Sequence, residues 1–144
     1  MTYDSSEVEE KWCSERRNEV ADYLKVHQVE HGRIGEWPAW HLMPYVSIWA
    51  IESKSSSGWV GWWVICGDLP TDYVSAEKIK HPRDALKAIA TRWLSAAVSM
   101  ARGESSPGFS VGSSADWKAL SPQLESRAQL LQDWADEGEL WRDL

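Results

Sequence analysis

Cysteine is scarce in this sequence, and that scarcity removes two ready explanations for a small fold. Cys13 and Cys66 are the only two, too few and too far apart for a disulfide framework or a zinc-knuckle spacing, so both are expected as reduced thiols. Long apolar runs are missing as well. The longest stretch without Asp, Glu, Lys or Arg covers residues 37–51 and contains Pro38 and Pro44, and it is too short to span a bilayer. Positive charge is in deficit: 15 Lys and Arg against 22 Asp and Glu give a formal charge of −7, and no basic cluster offsets it locally. Such a surface is repelled by phosphate backbones and anionic lipid, so neither nucleic acid nor membrane is expected as a partner. The opening run MTYDSSEVEEKW is acidic, the opposite of a signal peptide's charged end, which makes the cytosol the expected location. Neither a P-loop nor a G-x-G-x-x-G fingerprint occurs, and there is no internal repeat.

Tryptophan is what the chain has in abundance. Six of its eleven, Trp37, Trp40, Trp49, Trp59, Trp62 and Trp63, surround two short segments that read as β-strands. The 144 residues, 43% of them hydrophobic, fit one domain, residues 1–144, with an ordinary core. Indoles serve such a core, and any left half exposed suit an interface, where an apolar ring with a polar N–H is favoured.

Local patterns predict an α+β fold. Ser6-x-x-Glu9 is a capping box, and Val8, Trp12, Val20, Leu24 and His27 fall near one face of a helix over about 6–30, with Gly32 as its stop. Glu15, Arg16, Arg17, Glu19 and Asp22 read as its solvated face. Residues 32–44 have no clean period and read as an apolar loop holding Trp37, Trp40 and His41. Residues about 45–52 and 59–66 are β-branched and aromatic around a polar link, a hairpin that seeds a small antiparallel sheet. Val60, Trp62 and Val64 are expected on one face of the second strand, and 67–74 as a turn-rich connection. Both faces of the hairpin are greasy, so both need cover unless one serves a partner. Pro82 after His81 opens a helix over about 82–102 that Gly103 ends, with Leu86, Ile89, Trp93, Ala97 and Met100 as its apolar stripe. A connector over 103–114 leads to C-terminal helices over about 115–137, restarting at Ser121 and Pro122.

Chemistry-bearing residues are few. His27, Glu30 and His31 match the H-x-x-E-H string of inverted zinc peptidases, a weak metal candidate because Gly32 breaks the helix the pair would need. Cys66 as a nucleophile would need His41 or His81 beside it. Asp68, Thr71, Asp72 and Tyr73 share one turn after a strand, where Asp most often bonds its own backbone. No cofactor is implied and no catalytic residue stands out, so the balance is against an enzyme.

The run at residues 62–93, and above all WWVICGDLPTDY at 62–73, resembles a gammaproteobacterial family of small proteins known only as a domain of unknown function. The resemblance implies an α+β architecture in a bacterial cytosol and transfers no catalytic residue. Two classes of function follow. The first is a non-enzymatic interaction domain, an immunity or regulatory factor whose acidic surface and exposed indoles meet a basic protein partner. The alternative is a small-ligand-binding domain or minor enzyme, with a pocket between Trp37, Trp40 and His41 on one side and Asp68, Thr71, Asp72 and Tyr73 on the other. Self-association to a homo-oligomer through a hairpin face or edge is a third use of the same surface.

Overall fold

The computed structural model describes residues 2–104 and 117–144. In chain order it contains α1 (Thr2–Val26), β1 (Trp40–Leu42), β2 (Val46–Glu52), β3 (Val60–Gly67), β4 (Leu69–Ser75), α2 (Pro82–Ala101) and α3 (Trp117–Asp136), closed by a 3₁₀ turn, Gly138–Trp141. The four strands form an antiparallel meander in the order β1-β2-β3-β4. Three helices and this sheet make the α+β class expected from the sequence. The chain divides into two compact units, Met1–Ala85 and Leu86–Leu144. No helix among the described residues is long and apolar enough to cross a membrane.

In the first unit α1 covers one face of the sheet. Val20 and Leu24 pack there on Trp49, Ile51, Val64 and Cys66, with Tyr23, Val29, Ile34, Trp62 and Tyr73 around them. The buried stripe of the helix is Cys13, Val20 and Leu24, whereas Val8 and His27 are exposed. Of the expected stripe Val20 and Leu24 are thus buried and Trp12 half-buried, while Cys13 joins it and Val8 and His27 fall outside it. Helix α1 also stops earlier than expected. Val29 N–H donates to Leu24 O at 3.0 Å and Gln28 N–H to Lys25 O at 3.1 Å, with Gln28 at φ 54°. That is a Schellman end with Gln28 in the left-handed position, sealed by Val29 and Leu24 in one apolar cluster.

Residues 32–44 are less loop than expected. Gly32 N–H donates to Glu52 O at 2.8 Å, Gly35 N–H to Ala50 O at 3.2 Å and Ala39 N–H to Ile48 O at 2.8 Å, so an interrupted edge strand runs along β2 into β1. Arg17 fastens it to α1, donating from Nε to Gly35 O at 2.9 Å and from its terminal amine to Ile34 O at 3.0 Å. The face of α1 that read as solvated therefore holds a structural bond.

At the other edge, 69–75 is a strand rather than a connection. Gly67, at φ 147°, lets the chain reverse within two residues, and a side chain there would strike the carbonyl of Tyr45. Pro70 is tolerated because β4 is an edge. Within the hairpin, Ile51 pairs with Trp62 but Glu52 pairs with Val60, which makes Gly61 a bulge. A Cβ on Gly61 would lie 2.8 Å from Ser53 Cα, so only glycine fits. The bulge moves Val60 off the face of Trp62, against the simple alternation, and onto that of Ala50 and Glu52. Both sheet faces are buried in their centres, at Trp49 and Val64 on one and Ile48 and Ile65 on the other.

His81 caps α2, accepting the Arg83 N–H on Nδ1 at 3.0 Å. In the second unit α3 runs through Pro122 without restarting, while Ser121 Oγ donates to Ala97 O at 2.7 Å. The expected connector from residue 105 onward, and the expected helix start near 115, lie outside the described residues.

Candidate functional site

Sheet register decides which of the sequence-marked residues can act together. Trp40 pairs with Ile48, Ile48 with Ile65 and Ile65 with Asp72, so Trp40 and Asp72 share one face but stand at opposite edges with two strands between them. His41 pairs with Ser47 and Ser47 with Cys66, a row on the other face, covered by α1. Strands spaced about 4.8 Å apart put the two edges roughly 14 Å from each other. Trp40 and Asp72 therefore do not adjoin.

The residues of the 67–73 segment have local employment. Asp68 N–H donates to Tyr45 O at 2.9 Å. Buried Asp72 turns its carboxylate back to the Tyr73 N–H at 2.8 Å, and Thr71 is half-buried. Tyr73 sits edge-on to Trp62 and Tyr23, with ring centres 5.3 Å and 5.7 Å away. With Pro70 lacking an N–H and the Tyr73 N–H taken by a side chain, β4 is a blunted edge. The H-x-x-E-H string lies past Val26, the last residue of α1. There His27 stacks on Tyr23, His31 Nδ1 meets Gly32 O, and Glu30 faces Lys54. Among the described residues no three His, Cys, Asp or Glu side chains gather as a metal-binding group.

What does converge is a surface on the α1 side of β1. His41 Nε2 lies 3.1 Å from Glu9 Oε2. Its ring stacks on Trp12, centroids 6.1 Å apart and 29° between planes, and receives Trp37 edge-on at 5.7 Å and 89°. Arg16 covers Trp12 from 5.4 Å and is held by Glu19 at 2.7 Å. Trp37 remains 46% exposed, while Trp40 turns inward and is buried. Glu7 and Glu10 are exposed beside Glu9 on the same first turns of α1. Sequence reasoning found Trp37 and His41 and missed Glu9 and Trp12, which sit 32 and 29 residues upstream of His41. No spacing rule links a helix to a strand across that distance.

The row His41, Ser47, Cys66 brings a base and two nucleophile types side by side, but the nucleophiles are occupied. Buried Ser47 donates its hydroxyl to Cys66 O at 3.0 Å and accepts the Trp49 Nε1–H at 2.9 Å. The Cys66 thiol lies 3.3 Å from Ser47 Oγ and 3.6 Å from Arg16 O. Burial pushes it up to about 11, and Cys13 likewise, with the Glu9 carboxylate adding to the effect at Cys13. At neutral pH both are thiols rather than thiolates, which are the reactive form.

Fold and surface together define a small α+β domain with a half-exposed aromatic strip bordered by carboxylates. The chain belongs to the family described as Domain of unknown function (DUF4826), which matches it over residues 6–141. That match extends beyond residues 62–93, on which the sequence resemblance rests. Comparison with curated proteins and with solved structures finds no match.

Proposed function

We propose that this chain is a non-enzymatic protein-interaction domain of the cytosol, a regulatory or immunity factor that meets a basic protein partner through Trp37, His41 and Trp12. The observation that carries this reading is the exposure of Trp37 in a fixed pose. Its indole stands against a ring that Glu9 and Trp12 hold in place, so little side-chain freedom remains to be lost on binding. Exposed, pre-positioned indoles are the residues that dominate interface energies. The Glu9 carboxylate at His41, with Glu7 and Glu10 exposed on the same part of α1, favours Lys and Arg on the partner and speeds encounter at low salt.

The test is affinity capture from host lysate with the tagged chain and its Trp37→Ala and His41→Ala variants, at two salt concentrations. One near-stoichiometric partner, lost with either variant at unchanged melting temperature and weakened by salt, is the expected result. Bait recovered alone, or equal capture by all three chains, refutes the proposal.

A further inference from the structure

The β2–β3 hairpin presents a second exposed indole, just before β3 begins. Trp59 is 70% exposed and its indole N–H has no hydrogen-bond partner among the described residues. The Gly61 bulge turns Val60, 39% exposed, out beside it. This ridge forms part of the lining of an open groove of about 290 Å³, lined also by Gly35, Ala50 and Gly58. Small residues leave the space, which at ~30 Å³ per water equals roughly ten waters and is enough for an indole. Its rim carries one charge of each sign free to face outward. The Arg33 side chain is 90% exposed, with only Glu52 at 4.0 Å, and Glu36 is exposed without a partner among the described residues. Glu52 is already engaged: it accepts the N–H groups of Arg33 and Gly58 at 3.1 Å and 3.0 Å, and these bonds hold its carboxyl below the usual range.

A knob, a groove that fits it and one charge of each sign, shared between the β2–β3 hairpin and the 33–36 segment beside it, make a self-complementary surface. An isologous two-fold contact needs that property, because whatever one copy offers the other must accept. We infer that the hairpin is a homodimer contact, in which Trp59 of each copy enters the groove of the other and Arg33 of each meets Glu36 of the other. A purely basic partner would be repelled by Arg33 and a purely acidic one by Glu36, so the mixed rim favours a second copy of this chain. A tryptophan brings about 150–250 Å² to an interface, and a stable complex buries about 800 Å² per partner. The dimer is therefore reversible and concentration-dependent.

Sedimentation analysis of the full chain from about 1 to about 200 µM, a range that reads micromolar affinities, tests this. The mass should rise toward twice the monomer, and Trp59→Ala should weaken association at least about tenfold with an unchanged melt, since the side chain is solvent-exposed. Arg33→Glu and Glu36→Arg should each weaken it, and the double variant R33E/E36R should restore it. Trp37→Ala should dimerise like the wild type, which separates this contact from the proposed partner surface. A wild-type chain that stays monomeric throughout overturns the inference and leaves the hairpin to a foreign ligand. Dimers indifferent to Trp59→Ala, or charge reversals that do not rescue each other, overturn it equally.

Discussion

Glu9 Oε2 lies 3.1 Å from His41 Nε2, and through that contact the first helix grips the shortest strand of the sheet. The bond is half-exposed, so its worth lies in orientation as much as in energy. With Glu9 in place the imidazole is fixed between Trp12 and Trp37; without it the ring can turn on its own axis.

Glu9→Ala should accordingly cost only about 1 kcal/mol of folding stability, the net value of one such hydrogen bond. It should broaden the His41 ring resonances and weaken partner capture by more than the stability loss explains. Denaturant titration and NMR of the same variant give the two readouts. Equal losses in both would make Glu9 a purely structural residue.

The end of α1 offers a gain rather than a loss. Helix α2 ends with Gly103 at φ 74°, its N–H on Met100 O at 2.9 Å and the Glu104 N–H on Ser99 O at 2.8 Å. Helix α1 ends with the same two bonds but with Gln28 in the left-handed position. A residue with a Cβ pays about 1 kcal/mol there that glycine does not, offset in part by glycine's extra freedom when unfolded. Gln28→Gly should stabilise the chain by about 0.5 kcal/mol, read as a rise of a degree or two in melting temperature. A fall would show that the Gln28 side chain contributes more than its backbone costs.

That helix end shows why part of the fold was legible and part was not. The hairpin, the α2 cap at His81 and Pro82, and the α+β class follow from periods and caps confined to neighbouring residues. The stop of α1 fell at Gln28 because a six-residue bonding pattern and the contact of Val29 with Leu24 outweighed the local signal at Gly32. Strand β4 was hidden because Pro70 and Asp72 are poor strand residues, tolerated only at an edge, and edges are set by tertiary order. At the candidate site, Trp37 and His41 stood out by composition. Glu9 reads as a capping-box residue and Trp12 as part of the apolar stripe of α1, since only folding brings them to β1. Trp59 reads as a strand residue, but β3 begins at Val60, which the Gly61 bulge turns to the other face.

Gly67 supplies the sharpest test of the meander. A methyl group there meets the backbone of Tyr45 and Val46, at a φ that disfavours any side chain. Backbone cannot move aside as a flexible side chain does, so Gly67→Ala should cost about 2–4 kcal/mol. Gly58 has φ 84° but open space around its Cβ position, and Gly58→Ala should cost only about 1 kcal/mol. Paired denaturation curves check the ordering. Equal costs would mean that conformation alone, without the clash, governs the β3–β4 turn.

The two buried thiols give the chain an alkaline limit with a definite sign. Burial raises both from 9.0 to about 11, so between these values the unfolded chain has lost thiol protons that the folded chain keeps. Stability therefore falls as pH rises through 9 and levels off above about 11, and below 9 the thiols contribute no slope. Two pH units at 1.36 kcal/mol each set an upper bound of about 3 kcal/mol per thiol. Tyrosines and lysines titrate in the same range, so the measurement is a difference: stability against pH for the wild type and for the double variant C13A/C66A. The variant will be less stable at pH 7 because it leaves cavities, but its curve should be flatter between pH 9 and 11. Parallel curves would mean that water reaches Cys13 and Cys66 in the folded chain. In that case Ser47 and the carbonyl of Arg16 would no longer account for the quiet of the thiol that shares a row with His41.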